Sequence, residues 1–355
     1  MNPLANISIS RPSLSNVSEI RETVTGIAAA ATAPVRRLIS EEALPLEGRR
    51  VVITGGSSGI GAAAALAVAQ AGGTPILVAR SLDKLEEVKA GIEAAGGTAF
   101  VYTCDVTDAE SVTELVATLV KDHESIDMLV NNAGRSIRRS LSLSHDRFHD
   151  FERTMALNYF GAVRLIMELL PHMKEHGFGH IVNISSIGVQ TNTPRFAAYV
   201  ASKSALDAFS RVAASEVHGD GITFTTVHMP LVRTPMIAPT SMYDAFPVLS
   251  PEEAADMVVR ALIKRPKAIG TPIGTLGELS YTLAPGLVDV ILHRAYRLFP
   301  DSLAAKGVTP DSGETVKKET AMSTRVLAKA TVAVQDQPLS RAAKRMVRVL
   351  PGIHW

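Results

Sequence analysis

Cysteine is nearly missing from this chain: among 355 residues only Cys104 carries a thiol. One thiol excludes an internal disulfide and any metal cluster built on several thiolates, and it suits a reducing cytosol. No apolar run approaches the roughly 18 residues of a membrane-spanning helix. The N-terminus has no basic stretch followed by an apolar one, and Glu19 and Glu22 interrupt what a transit peptide keeps free of acids, so no targeting segment is expected. Strong net charge is lacking too. With 36 Lys and Arg against 35 Asp and Glu, the formal charge is +1, and no global field points to nucleic acid. There is no repeat of solenoid length. The histidines at 145, 149, 172, 176, 180 and 228 show no ligand spacing with acids, so no metal is expected.

What is present is globular: 46% hydrophobic and 20% charged residues, enough to bury a sizeable core. The charge is uneven. Residues 316–355 hold eight Lys or Arg against Glu319 and Asp336, a basic extension on an acidic body. Residues 1–47 read as an N-terminal extension with one amphipathic helix, opened by Asn16 and Glu19 in capping-box spacing. From residue 48 to 265 the pattern is strand, turn, helix, repeated. VVIT, PILVAR, AFVYTCDV, IDMLVNNAG, HIVNIS and ITFTTVHMP supply six strands, with long helices around 146–176 and 198–217. Strands alternating with helices predict an α/β fold: a Rossmann-type doubly wound parallel sheet with helices on both faces. The carboxyl ends of its strands form the binding edge. After an irregular loop at 231–250, Ser250-Pro251-Glu252-Glu253 announces another helix. Residues 266–355 read as a C-terminal helical extension. It holds a helix with Leu287, Val288, Ile291, Leu292, Ala295, Leu298 and Phe299, a linker over 301–338, and a basic amphipathic helix near 341–350.

Three stretches carry chemistry. In TGGSSGIG, at 54–61, residues without Cβ let backbone amides and a helix N-terminus meet a pyrophosphate, so Gly55, Ser57, Ser58, Gly59, Ile60 and Gly61 are candidate dinucleotide contacts. At the end of the second strand stands Arg80, with no carboxylate to repel a 2′-phosphate, which favours NADP over NAD. Asp105, followed by Val106, either accepts from an adenine amino group or caps the next helix. Asn131 and Asn132 can tie neighbouring strands together, and Ala133 and Gly134 leave room for the cofactor. Finally, Tyr199 and Lys203 are four residues apart on one helical face, where an ammonium pulls a phenol pKa of about 10 towards neutrality. Ser186, at a strand end, can bond a carbonyl oxygen.

TGxxxGxG, NNAG, Asn158, Ser186 and Tyr199-x-x-x-Lys203, in this order, resemble the short-chain dehydrogenase/reductase superfamily over about residues 48–265. The resemblance implies that Tyr199 is the proton donor, that Ser186 orients the carbonyl, and that Lys203 lowers the tyrosine pKa and holds the nicotinamide ribose. It further implies that Asn158 supports a water relay, and that Pro230, Val232 and Thr234 line the nicotinamide. Pro230 is followed by Leu231, where many members have glycine. The family's pairing of the two long helices implies a homo-oligomer.

NNAGRSIRRS, the HDRFHDFERTMALNYFGAVRLI helix, MPLVRTPMIAPT, SPEEAAD and PGIHW resemble more narrowly the bacterial fatty acyl-CoA reductases of this fold. That implies NADPH-dependent reduction of a long-chain acyl-CoA to the fatty aldehyde, in the cytoplasm. Reduction of a ketone such as a 3-oxoacyl lipid, or a catalytically silent cofactor-binding scaffold, stands beside it. Arg135, Arg138 and Arg139 suit either CoA phosphates or a solvated loop. Met236, Met242, Tyr243 and Phe246 suit either a lid over an acyl chain or ordinary packing. The 341–350 helix docks on its own core, meets an anionic membrane surface as a peripheral contact, or screens CoA.

Overall fold

The computed structural model describes residues 44–237, 248–298, 301 and 304–306. The N-terminal helix, the 341–350 helix, and Met242, Tyr243 and Phe246 lie outside these.

Seven parallel strands form one sheet in the order β3-β2-β1-β4-β5-β6-β7. They are β1 (Arg50–Thr54), β2 (Thr74–Ala79), β3 (Phe100–Thr103), β4 (Met128–Asn131), β5 (Gly179–Ser186), β6 (Ile222–Met229) and β7 (Ala268–Ile269). A parallel sheet is covered on both faces, so its strands are apolar throughout rather than alternating. In β5 all eight residues are buried. The order reverses between β1 and β4, which opens a crevice at their carboxyl ends.

The helices are α1 (Gly59–Gln70), α2 (Leu82–Ala94), α3 (Ala109–Asp122), α4 (His149–Met155), α5 (Gly161–Glu175), α6 (Ile187–Thr191), α7 (Ala197–Glu216), α8 (Pro251–Lys264), α9 (Pro272–Leu283) and α10 (Pro285–Leu298). Between α4 and α5 the chain stays helical through a π turn, Ala156–Phe160. The predicted 146–176 helix is therefore one rod with a wide turn inside it. On one side α3 and α5 pack together over the sheet, and Leu119, Leu165 and Leu169 join Val52, Ile76 and Leu129 in a single buried cluster. Full burial of each such leucine contributes about 1.5–3 kcal/mol. On the other side α1 packs against α8.

Helix α8 starts as its sequence says: Ser250 Oγ accepts from the Glu253 amide at 3.2 Å, and Glu253 returns a bond to the Ser250 amide at 2.8 Å. Three elements escaped the sequence reading. Strand β7 has only two residues, too few for any period to register. Helix α6 is a single turn begun by Ser186. Helix α9 has an N-cap in Thr271, whose Oγ1 accepts from the Gly274 amide at 3.1 Å, and a first-turn Pro272; that pair is the signal that would have revealed it. Of the residues assigned to a late helix, Leu292 and Ala295 are buried in α10 while Leu287 and Ile291 face outwards. Among the described residues no helix is long and apolar enough to cross a membrane.

Candidate active site

The glycine turn lies between β1 and α1. Gly55 and Gly59 have φ of 66° and 55°, left-handed values that favour residues without Cβ. At Gly61 the reason is proximity: a Cβ there would meet the Gly55 carbonyl oxygen at 2.2 Å. Ser58 caps α1 in extended conformation without a side-chain bond, which leaves the helix's first amides available to an anion. Thr54 fixes the adjoining strand end. Its Oγ1 accepts from the amides of Asn132 and Ala133, each at 3.0 Å, and Asn132 Nδ2 donates to the Thr54 carbonyl at 2.9 Å. Asn131 does tie strands: Nδ2 donates to Asn183 Oδ1 on β5 at 2.8 Å. Thr234 reaches across, with its Cγ2 3.2 Å from where a Gly59 Cβ would stand. The chain after Pro230 pairs back on itself, Val232 bridging Leu249, so leucine replaces the family's glycine without strain.

At the end of β2 the Arg80 side chain is 80% exposed, with Nη1 3.9 Å from Asp105 Oδ2. Asp105 Oδ1 accepts from the Thr107 amide and hydroxyl at 2.9 and 2.7 Å, which holds its carboxyl below the usual range. Asp105 thus fixes the turn ahead of α3 and leaves one oxygen towards Arg80.

Lys203 comes from α7, Ser186 from the end of β5, and Asn158 from the π turn. Lys203 is 3% exposed, and Nζ donates to the Ile184 carbonyl at 2.6 Å. Asn158, 1% exposed, uses its whole amide: Nδ2 donates to the Arg135 carbonyl and to Ser202 Oγ, both at 2.9 Å, and Oδ1 accepts from the Arg135 amide at 2.8 Å. The π turn aims this side chain across the site, and such turns recur at functional positions. Gly134 lies between them; a Cβ would stand 3.2 Å from Asn158 Oδ1 and 3.5 Å from Lys203 Nζ. Tyr199 and Ser186 hydrogen-bond each other, and Ser186 Oγ also accepts from the Gly188 amide at 3.0 Å. All but Asn158 line a cavity of about 360 Å³ beside the glycine turn, shared with Arg135, Arg138 and Met236.

A hydrogen-bonded hydroxyl pair, a buried amine and an anion-ready glycine turn thus meet at one sheet edge. The sequence profile described as short chain dehydrogenase matches residues 49–243. The chain belongs to that family. It is 47% identical to a fatty acyl-CoA reductase of Acinetobacter baylyi over 310 residues, 87% of this chain and 96% of that protein. It is 44% identical to a fatty acyl-CoA reductase of Mycobacterium tuberculosis over 250 residues, 70% of this chain and 85% of that one. Among solved structures, a 3-oxoacyl (acyl-carrier-protein) reductase of Agrobacterium tumefaciens with NADP bound superposes with a TM-score of 0.60 at 26% identity, covering 66% of this chain and 97% of that one.

In this short-chain dehydrogenase the ionisable groups of the site respond to their surroundings. Burial pushes the Tyr199 phenol up, and the Ser186 hydrogen bond pulls it down. The lysine is itself pushed down by burial, to about 8, with Asp207 pulling it back up. Arg139 also lines the cavity. Its Nε lies 3.5 Å from Asp150 Oδ2 and both side chains are largely buried, while Asp150 Oδ1 accepts from Arg153. Cys104 is buried beside Ser111 and its thiol is pushed up, the condition of an inert thiol.

Asp207 was not singled out from the sequence. It is 2% exposed, accepts from or bonds to His228 Nε2 at 2.9 Å, and acts electrostatically on both Lys203 and Tyr199. Its signal was its place four residues after Lys203, the next step along the same helical face.

The depressed lysine has a measurable consequence. Between pH 8 and the ordinary lysine value of 10.5 the unfolded chain holds a proton that the folded chain has released, so stability rises with pH across that window. Lys203→Met lacks this contribution. In urea titrations the native chain should therefore gain stability relative to the variant between pH 8 and 10.5; a pH-independent difference would contradict the burial of the amine.

Proposed function

We propose that this protein reduces long-chain acyl-CoA thioesters to fatty aldehydes, with NADPH as the hydride source. The kinship with the Acinetobacter reductase, 47% identity over nearly the whole of both chains, carries the substrate class. The residues present fit the cofactor. The Gly61 cradle would not admit a Cβ, the α1 amides are uncapped, and exposed Arg80 stands where a 2′-phosphate needs a cation. Gly55, Ser57, Ser58, Gly59 and Ile60 would take the pyrophosphate. Asp105 and Val106 would border the adenine, and Asn132, Ala133, Gly134, Pro230, Val232 and Thr234 the nicotinamide. Bound NADPH supplies the hydride.

The chain supplies the rest. The Ser186 and Tyr199 hydroxyls donate to the thioester carbonyl oxygen and stabilise the negative charge that develops there. Tyr199 delivers the proton. Lys203, charged below about pH 8, stabilises the phenolate that remains. Asn158 locks Arg135 and Ser202 in place around the lysine and borders the proton route. The resulting hemithioacetal then gives up its hydroxyl proton as its C–S bond breaks, and the sulfur takes a proton to leave as the CoA thiol; no acyl-enzyme on the buried Cys104 is needed. Arg135 and Arg138 at the cavity suit the phosphates of CoA, and Met236 with Ile237 suits the acyl chain. The same tetrad serves a 3-oxoacyl ketone, the reading that the Agrobacterium neighbour favours.

Exposed apolar side chains extend the proposal. Phe160, Met167 and Val212 project from the rod and from α7 as a face for a second copy. At the turn between α9 and α10 every residue from 281 to 287 is exposed, with Leu283 at 74% and Leu287 at 63%, as reversible contact with a membrane from the cytoplasmic side requires.

With palmitoyl-CoA and NADPH, free CoA and aldehyde should appear in step with nicotinamide oxidation; oxidation of NADPH on a 3-oxoacyl substrate without any thiol release from palmitoyl-CoA selects the ketone reading. Tyr199→Phe should lower turnover by at least ~100-fold with cofactor binding retained, and an equally active variant removes Tyr199 as the acid. Arg80→Ala should raise KM for NADPH about 10-fold while leaving NADH unchanged; equal effects on both would place the 2′-phosphate elsewhere. Anionic vesicles should float the protein, and Leu283→Asp with Leu287→Asp should abolish flotation.

A further inference from the structure

Arg195 lies in the turn between α6 and α7, four residues before Tyr199. Its φ of 72° is left-handed, a strained choice for a residue with a Cβ, and such strain persists only where surrounding contacts hold it. The contacts are evident. The side chain is 6% exposed, Nε donates to Asp301 Oδ1 at 3.2 Å, and one terminal nitrogen donates to the Tyr296 carbonyl at 3.0 Å. The guanidinium also stacks 4.0 Å from the Tyr296 ring centroid. Asp301, 11% exposed, uses the same Oδ1 to accept from the Ser140 amide at 3.0 Å, and the Arg139 amide donates to the Arg195 carbonyl at 2.7 Å.

One ion pair therefore fastens three remote stretches together: the loop after β4, the turn ahead of the tyrosine helix, and the chain after α10. Each contributes to the cavity. The first gives Arg138 and Arg139, the second Thr193 and Phe196, and the third Ala305, itself buried. Neither Arg195 nor Asp301 is among the cavity-lining residues. Their effect on a ligand passes through the wall they hold.

We propose that the Arg195–Asp301 pair is a latch that holds the chain around Ala305 as a wall of the substrate cavity, and so sets how tightly and how selectively the acyl part is gripped. The proposal rests on the acyl-substrate reading above for the identity of the ligand, not for the latch itself. Both are positioning residues. With both side chains nearly out of water, removing one leaves the other as an unpaired buried charge, which drives the segment apart rather than letting it settle. The planar fork reaches carboxylate, carbonyl and ring together, which a lysine ammonium does not.

The test compares the full-length enzyme with Asp301→Ala, Asp301→Asn and Arg195→Lys. Each is assayed with palmitoyl-CoA, octanoyl-CoA and a 3-oxoacyl ketone, alongside hydrogen exchange of the amides from Tyr296 to Lys306. Asp301→Ala should raise KM for palmitoyl-CoA roughly 10-fold, with kcat and KM for NADPH changed by less than about 3-fold. Its preference for palmitoyl over octanoyl should shrink, and exchange at 296–306 should accelerate. Asp301→Asn, which keeps an acceptor for the Ser140 amide, should fall between the alanine variant and the native enzyme, as should Arg195→Lys. Unchanged acyl KM and unchanged exchange in folded Asp301→Ala overturn the latch. So does a parallel loss of kcat and of both affinities, which marks general damage; should the alanine variant not fold, the asparagine and lysine variants decide by the same criteria. A native enzyme that releases no CoA overturns only the thioester reading, since KM for the ketone and the exchange rates still judge the latch.

Discussion

The site is built around a lysine cation held almost out of water. Lys203 gives one bond to the Ile184 carbonyl and faces a helix turn away from a buried aspartate, an arrangement in which burial alone takes its affinity for a proton down by orders of magnitude. An amine in that condition is poised near the working pH, where a small change in neighbouring charge alters its state. Much of the surrounding structure follows from keeping it there. Gly134 leaves room for Asn158, whose Oδ1 a Cβ would crowd. Asn158 spends every hydrogen bond on Arg135 and Ser202, one residue from the lysine, and needs a π turn to reach them. Asp207 with His228 supplies the compensating charge from behind.

The same burial acts on the phenol beside the amine. Sequence spacing places Tyr199 and Lys203 on one helical face, and the expectation that the cation acidifies the phenol follows from proximity alone. Burial acts on both groups in the direction of their neutral forms, and the Ser186 hydroxyl acts on the phenol in the opposite direction. Depth in the fold is a property that no residue spacing encodes.

The fold, the glycine turn and the shared face of Tyr199 and Lys203 were legible because their physical causes are local. Buried parallel strands need continuous apolar runs, a pyrophosphate turn needs residues without Cβ, and a helix start needs Ser250 with Glu253 three places on. Elements too short for a period, β7 and α6, left no trace. Helix α9 did leave its Thr271-Pro272 signature, but the apolar residues beyond it lack a clean stripe because most face outwards. Asp105 illustrates the limit at the site. An aspartate after a strand and before a helix fits an adenine acceptor or a cap equally well, and only its two bonds to Thr107 reveal that one oxygen is already spent.

The walls of the cavity were illegible for a different reason. A substrate pocket at a sheet edge is closed by loops, and which loops meet there depends on contacts between residues far apart in the chain. Arg195 and Asp301 are separated by 106 positions, and nothing in either local sequence marks it as half of a buried pair. Arg139 likewise lies against the buried Asp150 of α4, a pairing that its local sequence does not mark. The chemistry-bearing residue types of this chain sit on strands, turns and helices that the sequence announces, whereas the cavity wall is held by long-range pairs that only the folded chain brings together.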